Sequence, residues 1–166
     1  FDPNKNPFYR LDNVGEYTYA PYKVLWKEQT GSMSAVVVGN AEESLINYDN
    51  SVLGTNKIIM VDSKVLYLAL ESADEAYFVC GIINSPTIRN IIDGYAVETN
   101  RGIDVLKYLA IPKYDNTSQT HKDIARISEQ IHDFCKIELK SLGKIDQSKL
   151  SALEGALDAL VIAMFA

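Results

Sequence analysis

Cysteine is scarce in this 166-residue chain, and so is histidine, with two of each. Cys80 and Cys135 lie far apart and form no CxxC pair, no zinc knuckle and no disulfide framework. His121 and His132 would fall nearly on one helix face but about 16 Å apart along the axis, too far to share a metal ion. Positive charge is also in deficit. Sixteen Lys and Arg stand against 22 Asp and Glu, a net charge of −6, which argues against a free-standing basic grip on nucleic acid. No apolar run approaches the roughly 20 residues of a membrane span, and no positively charged apolar leader opens the chain, so no membrane partner is expected. Together with the cysteine usage this points to a reducing cytoplasm. Phosphate-binding loops, GxGxxG, HExxH and GxSxG are missing, as are internal repeats and low-complexity tracts. There is no Met at position 1, so the chain reads as a fragment or a processed product whose parent carries further chemistry elsewhere.

What is present is one domain's worth of core, 47% hydrophobic. A chain of this length buries roughly two-thirds of its unfolded surface. Residues 1–21 mix Pro3, Pro7 and Pro21 with Asn4, Asn6, Asn13, Gly15 and five aromatic rings, the pattern of an extended segment pinned across a core. Tyr22 to Lys27 alternates apolar residues with lysines as a half-buried strand does; Gly31-Ser32 mark a turn, and Ser34 to Val38 supplies the second strand of a hairpin. A polar stretch follows from Gly39 to Asn56. Lys57 to Val61 and Val65 to Leu70 are expected to form a second strand pair around Asp62-Ser63.

The period then changes to that of helices. Ser72 and Glu75 have capping-box spacing ahead of Ala76, Val79, Cys80 and Ile83. Ser85-Pro86 opens another helix with Ser as N-cap, and Gly94 ends it. Asp104 to Lys107 reads as a short turn and Tyr108 to Ile111 as strand-like. Thr120 and Asp123 can cap a helix striped by Ile124, Ile127, Ile131, Phe134, Cys135 and Leu142 and closed by Gly143. A second carries Leu150, Leu153, Leu157, Leu160, Val161 and Met164, and the two should pack as an antiparallel hairpin. Strands first and helices last is the α+β pattern. The expected organisation is a strand-rich core over 1–116 with two short helices, and a helical hairpin over 117–166 packed on it, one domain overall.

No catalytic pair stands out. Cys80 and Cys135 sit on apolar stripes and read as small core residues, and the histidines as surface or capping residues. Glu42-Glu43 and Asp74-Glu75 read as a solvated loop and a helix N-terminus. Asn6-Pro7-Phe8-Tyr9 is similar to the Asn-Pro-Pro-Tyr signature of amino-group DNA methyltransferases, but the second proline is missing and no buried strand precedes it, so a turn is the better reading. There remain polar loops bearing cations and amides: Lys23, Trp26, Lys27, Gln29 and Thr30 near the first hairpin, then Asn40 to Asn56, then Asn100-Arg101-Gly102. Amides and Arg can read base edges, and Lys can hold phosphates.

Four phrases, in order, resemble a known family. Pro7-Phe8-Tyr9 and the run from Asn13 to Lys27, with its Pro21-Tyr22-Lys23-Val24-Leu25-Trp26-Lys27, resemble a stretch downstream of the catalytic domain in large bacterial adenine-specific DNA methyltransferases and type IIG restriction-modification enzymes. Glu75 to Pro86, ending Asn84-Ser85-Pro86, resembles the helix and turn of their target recognition domains. Leu109-Ala110-Ile111-Pro112-Lys113-Tyr114-Asp115 resembles the strand end before their long helix, and Leu157-Asp158-Ala159-Leu160-Val161 their terminal helix. Two departures are the tail Met164-Phe165-Ala166, in place of Tyr-Gly-Leu, and Lys27 in place of Arg. The resemblance implies a TaqI-like C-terminal specificity domain: a curved, mostly antiparallel sheet with flanking helices that presents loops to duplex DNA. It also implies a separate upstream domain that binds S-adenosylmethionine and methylates adenine, so this chain is expected to hold no cofactor, no metal and no catalytic residue of its own.

On that reading the candidates for DNA contact are Lys23, Lys27, Gln29, Asn56, Lys57, Asn100, Arg101 and Lys113. The rival reading is a protein-protein interaction module of a modification or defence complex, docking through the leucine-striped C-terminal helices without touching DNA.

Overall fold

The computed structural model describes residues 14–39, 59–61, 64–95 and 101–166. Three strands form an antiparallel sheet in the order β2-β1-β3: β1 Tyr22–Lys27, β2 Ala35–Gly39 and β3 Val65–Leu70. The alternation in β1 divides the sheet into two faces. Val24 lies between Val37 and Leu68, and Trp26 between Ala35 and Leu66, on the face that meets the helices. Lys23 and Leu25 line up with Val38 and Val36 and with Ala69 and Tyr67 on the other face. The first hairpin therefore forms as its alternation predicts. The expected second pair does not. Residues 59–61 carry no strand, and Val65–Leu70 instead pairs with β1 on the edge opposite β2; Lys57 lies outside the described residues. An apolar β-rich run advertises strand propensity but not its partner, which the free edge of the most buried strand supplies. Tyr108 to Ile111 is not a strand either: it follows a 3-10 turn over Ile103–Leu106 and bends at Ala110, φ 45°.

Helix α1, Ala73–Asn84, is the centre of the molecule. Its Ala76, Phe78, Val79, Cys80, Ile82 and Ile83 are all buried, so apolar side chains point around most of its circumference. A helix of that kind needs cover on two sides. The sheet supplies one through Val24, Trp26, Ala35 and Val37, and α3, Gln119–Leu142, supplies the other through Ile124, Ala125 and Ile127. The crossing is close at Gly81, where an added Cβ would lie 3.1 Å from both Ile124 Cγ2 and Ser128 Cβ. Helix α2, Pro86–Tyr95, follows α1 directly, and α4, Gln147–Phe165, packs back on α3 after a short connection that Gly143 enters at φ 65°. Leu157 and Val161 of α4 belong to the same core as Val24 and Ile83, so the C-terminal helix pair is part of one hydrophobic interior. The architecture is α+β, as the succession of periods implies. No helix among the described residues is long and apolar enough to cross a membrane.

Two caps differ from expectation. The N-cap of α3 is Ser118, whose hydroxyl accepts from His121 N–H at 3.4 Å, and Thr120 is already inside the helix. Ser85 precedes α2, but its hydroxyl donates to Asp158 of α4 rather than serving its own helix. Asp158 does the capping from a distance, accepting Thr87 N–H and Thr87 Oγ1 at 2.9 Å each. Burial pushes the Asp158 carboxyl up, but the bonds from Ser85 and Thr87 outweigh it and hold the group below the ordinary carboxylate value. Ser72 caps α1 as the sequence predicts, accepting from Glu75 N–H at 3.3 Å.

Asp158→Ala is expected to cost about 2–4 kcal/mol in urea unfolding, because it removes a cap and strands the buried Ser85 hydroxyl. Gly81→Val should cost about 1–3 kcal/mol by forcing α1 away from α3. Variants as stable as the parent would refute these two assignments.

Candidate nucleic-acid interface

The turn joining β1 to β2, residues 28–34, is fastened to the body by an ion pair between buried Arg101 and half-buried Asp93. Asp93, near the end of α2, accepts from Ser32 Oγ at 2.7 Å and from Met33 N–H at 3.1 Å. The Arg101 guanidinium meets the same carboxylate at 3.0 Å and donates to Gly31 O at 3.3 Å. Arg101 is itself held along its backbone: its N–H donates to Glu28 O at 2.6 Å, and Trp26 Nε1 donates to its carbonyl at 2.8 Å. One step into β2, the Asn84 amide at the end of α1 makes a two-way pair with Ala35, 2.8 Å for each bond. Burial pushes the Asp93 carboxyl up, but the hydrogen bonds from Ser32, Met33 and Arg101 and the guanidinium charge prevail and hold it below the ordinary value.

These contacts sort the expected DNA-contact residues. Arg101 is 2% exposed and Lys23 1% exposed, so both are framework, a correction to their assignment as surface contacts. Lys23 lies on the outer sheet face, where its Nζ donates to Ala20 O at 3.1 Å and the 3-10 turn Glu16–Tyr19 crosses, with Tyr17 against Tyr67. Burial lowers the Lys23 pKa. Lys27 and Gln29 are exposed beside the clamped turn. Lys113 is exposed too, but the structure does not bring it to them. It lines a shallow depression of about 540 Å³ with Ser72, Asp74, Tyr114, Asp115 and Asn116, at the α1 N-terminus and so at the other end of the sheet. Asn56, Lys57 and Asn100 lie outside the described residues.

Sequence reasoning missed Asp93, Ser32 and Asn84, whose importance lies in partners far away along the chain. It also missed Lys136, Lys140 and Lys144, exposed at four-residue spacing along and just beyond the end of α3 and without an ion-pair partner among the described residues. Most other exposed cations are neutralised locally, Lys64 by Glu28, Lys107 by Asp104, Arg126 by Asp123 and Lys149 by Asp146.

One cluster has the composition of a nucleophilic site but not its chemistry. Cys80 Sγ stands 3.8 Å from His132 Nε2 and 3.4 Å from Asn84 Nδ2. The thiol is fully buried, and burial pushes its pKa up to about 12, so no thiolate is available at neutral pH. His132 is committed elsewhere, its Nδ1 against Ser128 O at 2.8 Å and its Nε2 accepting Val37 N–H at 3.0 Å. That second bond ties α3 to the sheet, so His132 is a structural link rather than a surface residue. His121 stacks on Phe78, ring centroids 4.5 Å apart, and accepts Asp115 N–H at 3.0 Å. Among the described residues no group of three or more His, Cys, Asp or Glu is placed to hold a metal ion.

Comparison with protein-family models, with curated proteins and with solved structures finds no match.

Because the folded-state pKa of Asp93 lies below its unfolded value near 4, its pairing contributes stability above that pH and loses it as pH falls through the folded pKa. Asp93→Asn should therefore lower the urea midpoint at pH 7, and the gap to the parent should narrow by pH 3. A gap that stays constant with pH would refute the charge assignment.

Proposed function

We propose that the chain is a non-catalytic DNA sequence-specificity domain of an adenine-specific DNA methyltransferase or combined restriction-modification enzyme. It positions a duplex for methylation by a catalytic domain elsewhere in the same polypeptide, which takes S-adenosylmethionine; this chain contributes no reacting group. The observation that carries the reading is the polar β1–β2 turn, which offers Lys27 and Gln29 to solvent while its backbone is locked to α2 and Arg101. Rigid presentation of an amide and a cation suits base-edge reading combined with phosphate contact. The four family-like phrases support it, since Trp26 and Asn84, both within those phrases, build the support of this turn. A net charge of −6 fits a module that shares its duplex with a partner domain. The setting on this reading is the cytoplasm.

A second reading has its own support. Ile137 and Leu142, 64% and 62% exposed near the end of α3, with Leu139, Ile162 and Phe165, leave apolar surface on the C-terminal helices. On that reading the helices dock a protein of a modification or defence complex and DNA is never touched.

The intact polypeptide, given radiolabelled S-adenosylmethionine, should transfer methyl groups to adenine in duplex DNA, and Lys27→Ala with Gln29→Ala should reduce transfer at least tenfold. The 166-residue chain alone should bind duplex weakly. No transfer by the intact polypeptide would sink the first reading. Loss of a co-purifying protein on Leu139→Asp with Leu142→Asp, with no duplex retained, would establish the second.

A further inference from the structure

We infer that Arg101 and Asp93 act as a positioning pair that makes the β1–β2 turn a preformed base-reading element, with Gln29 as its specificity-determining side chain; this deepens, and rests on, the DNA-specificity reading. A two-residue hairpin loop is closed by its own ladder, whereas the longer turn over residues 28–34 leaves backbone groups for other partners. This one receives four hydrogen bonds from two residues 60 or more positions away. Arg101 supplies donors to Glu28 O and Gly31 O, and Asp93 accepts from Ser32 Oγ and Met33 N–H. The ion pair between them, at 3.0 Å, ties the two supports together, and the Trp26 indole fixes the arginine's backbone in turn. Met33, buried to 1%, anchors the far side of the turn in the core. Thr30 Oγ1 closes the tip onto Ser32 O at 3.1 Å.

The polar groups of the turn divide accordingly. Those of Glu28, Gly31, Ser32 and Met33 just named face the body and are taken. The Gln29 amide is exposed and makes no hydrogen bond with the described residues, on the strand side of a tip where Gly31 has open space beyond its Cα. An amide held that way can meet adenine N6 and N7 in the major groove with one donor and one acceptor, and Lys27, two residues back at the end of β1, is left for a phosphate. Fixing the turn beforehand spares the ordering cost that a loose loop would meet on binding. A fork is needed at position 101 because one side chain must serve a carboxylate and a carbonyl together, which a lysine ammonium on a flexible stem does poorly.

The test is selection from a duplex library with a randomised core by the intact polypeptide, the retained strands being sequenced, for the parent and for Gln29→Ala, Arg101→Lys and Gln29→Ala with Arg101→Lys, with thermal melts of each. Asp93→Asn serves as a second route should Arg101→Lys fail to fold. The parent should enrich a motif; Gln29→Ala should relax one position of it by about 10- to 100-fold, and Arg101→Lys should relax the same position while overall retention changes less than threefold. The double variant should be no worse at that position than either single one, because a reader that is not positioned cannot be lost twice. A merely structural role for Arg101 would instead lower retention of every sequence equally, in step with the melting temperature, and would overturn the inference. So would a parent that enriches a motif which Gln29→Ala and Arg101→Lys both leave intact, with the DNA-specificity reading standing. A parent that enriches no motif overturns that reading and the inference together.

Discussion

Helix α1 has almost no polar face to give to water, and the arrangement of everything else follows from covering it. Phe78, Val79, Cys80, Ile82 and Ile83 point in enough directions that one neighbour cannot bury them. The sheet covers one side with β1 and β2, and α3 covers the other, approaching over Gly81 where no side chain keeps it away. A residue with a Cβ there would separate the helices and expose apolar surface at roughly 25 cal/mol per Å². The two-sided demand also explains why α4 and α3 are not an appendage. Leu157 and Val161 complete the wall that α3 begins.

Onto this apolar frame the chain adds polar links, each joining residues remote in sequence. Asp158 caps α2 from α4, Asn84 pairs with Ala35, His132 accepts from Val37, and Asp93 with Arg101 fastens the hairpin turn. Isolated buried polar groups would be costly, but these satisfy one another, and no buried side-chain nitrogen or oxygen among the described residues lacks a partner. Hydrophobic burial is non-directional, whereas these bonds work only at one distance and angle, so they set register and orientation where packing alone tolerates sliding. Three of the four bear on the hairpin of β1 and β2, the element whose exposed end carries the proposed function. The Cys80, His132 and Asn84 cluster belongs here as well: chemistry-bearing residue types, used for cohesion.

The electrostatics are frugal. Acids outnumber bases, Lys64, Lys107, Arg126 and Lys149 each meet a carboxylate close by, and Lys23 and Arg101 are covered. What stays available is Lys27 at the clamped turn, Lys113 at the other end of the sheet, and Lys122 and the row from Lys136 to Lys144 on and just beyond α3. On the proposed reading these cations add to a module that contributes discrimination while another domain contributes most of the grip on the duplex.

Periodicity in the sequence determined the types and order of the elements: the strand alternation of Tyr22 to Lys27, the hairpin turn at Gly31, the Ser72 cap, the stripes of α3 and α4 and the Gly143 stop. These are legible because they depend on neighbours within one or two turns of chain. Partners were not legible. Only the tertiary structure decided that Val65–Leu70 joins β1 rather than a neighbour in sequence, that Asp158 and not Ser85 caps α2, and that Lys23 and Arg101 are covered while Lys27 and Gln29 stay exposed. Alternation did place Lys23 and Lys27 on one face. It could not tell that a 3-10 turn would cover the first and leave the second bare, because cover comes from whichever segment packing brings there, and that is settled by the shape and volume of the whole core rather than by any local run of residues.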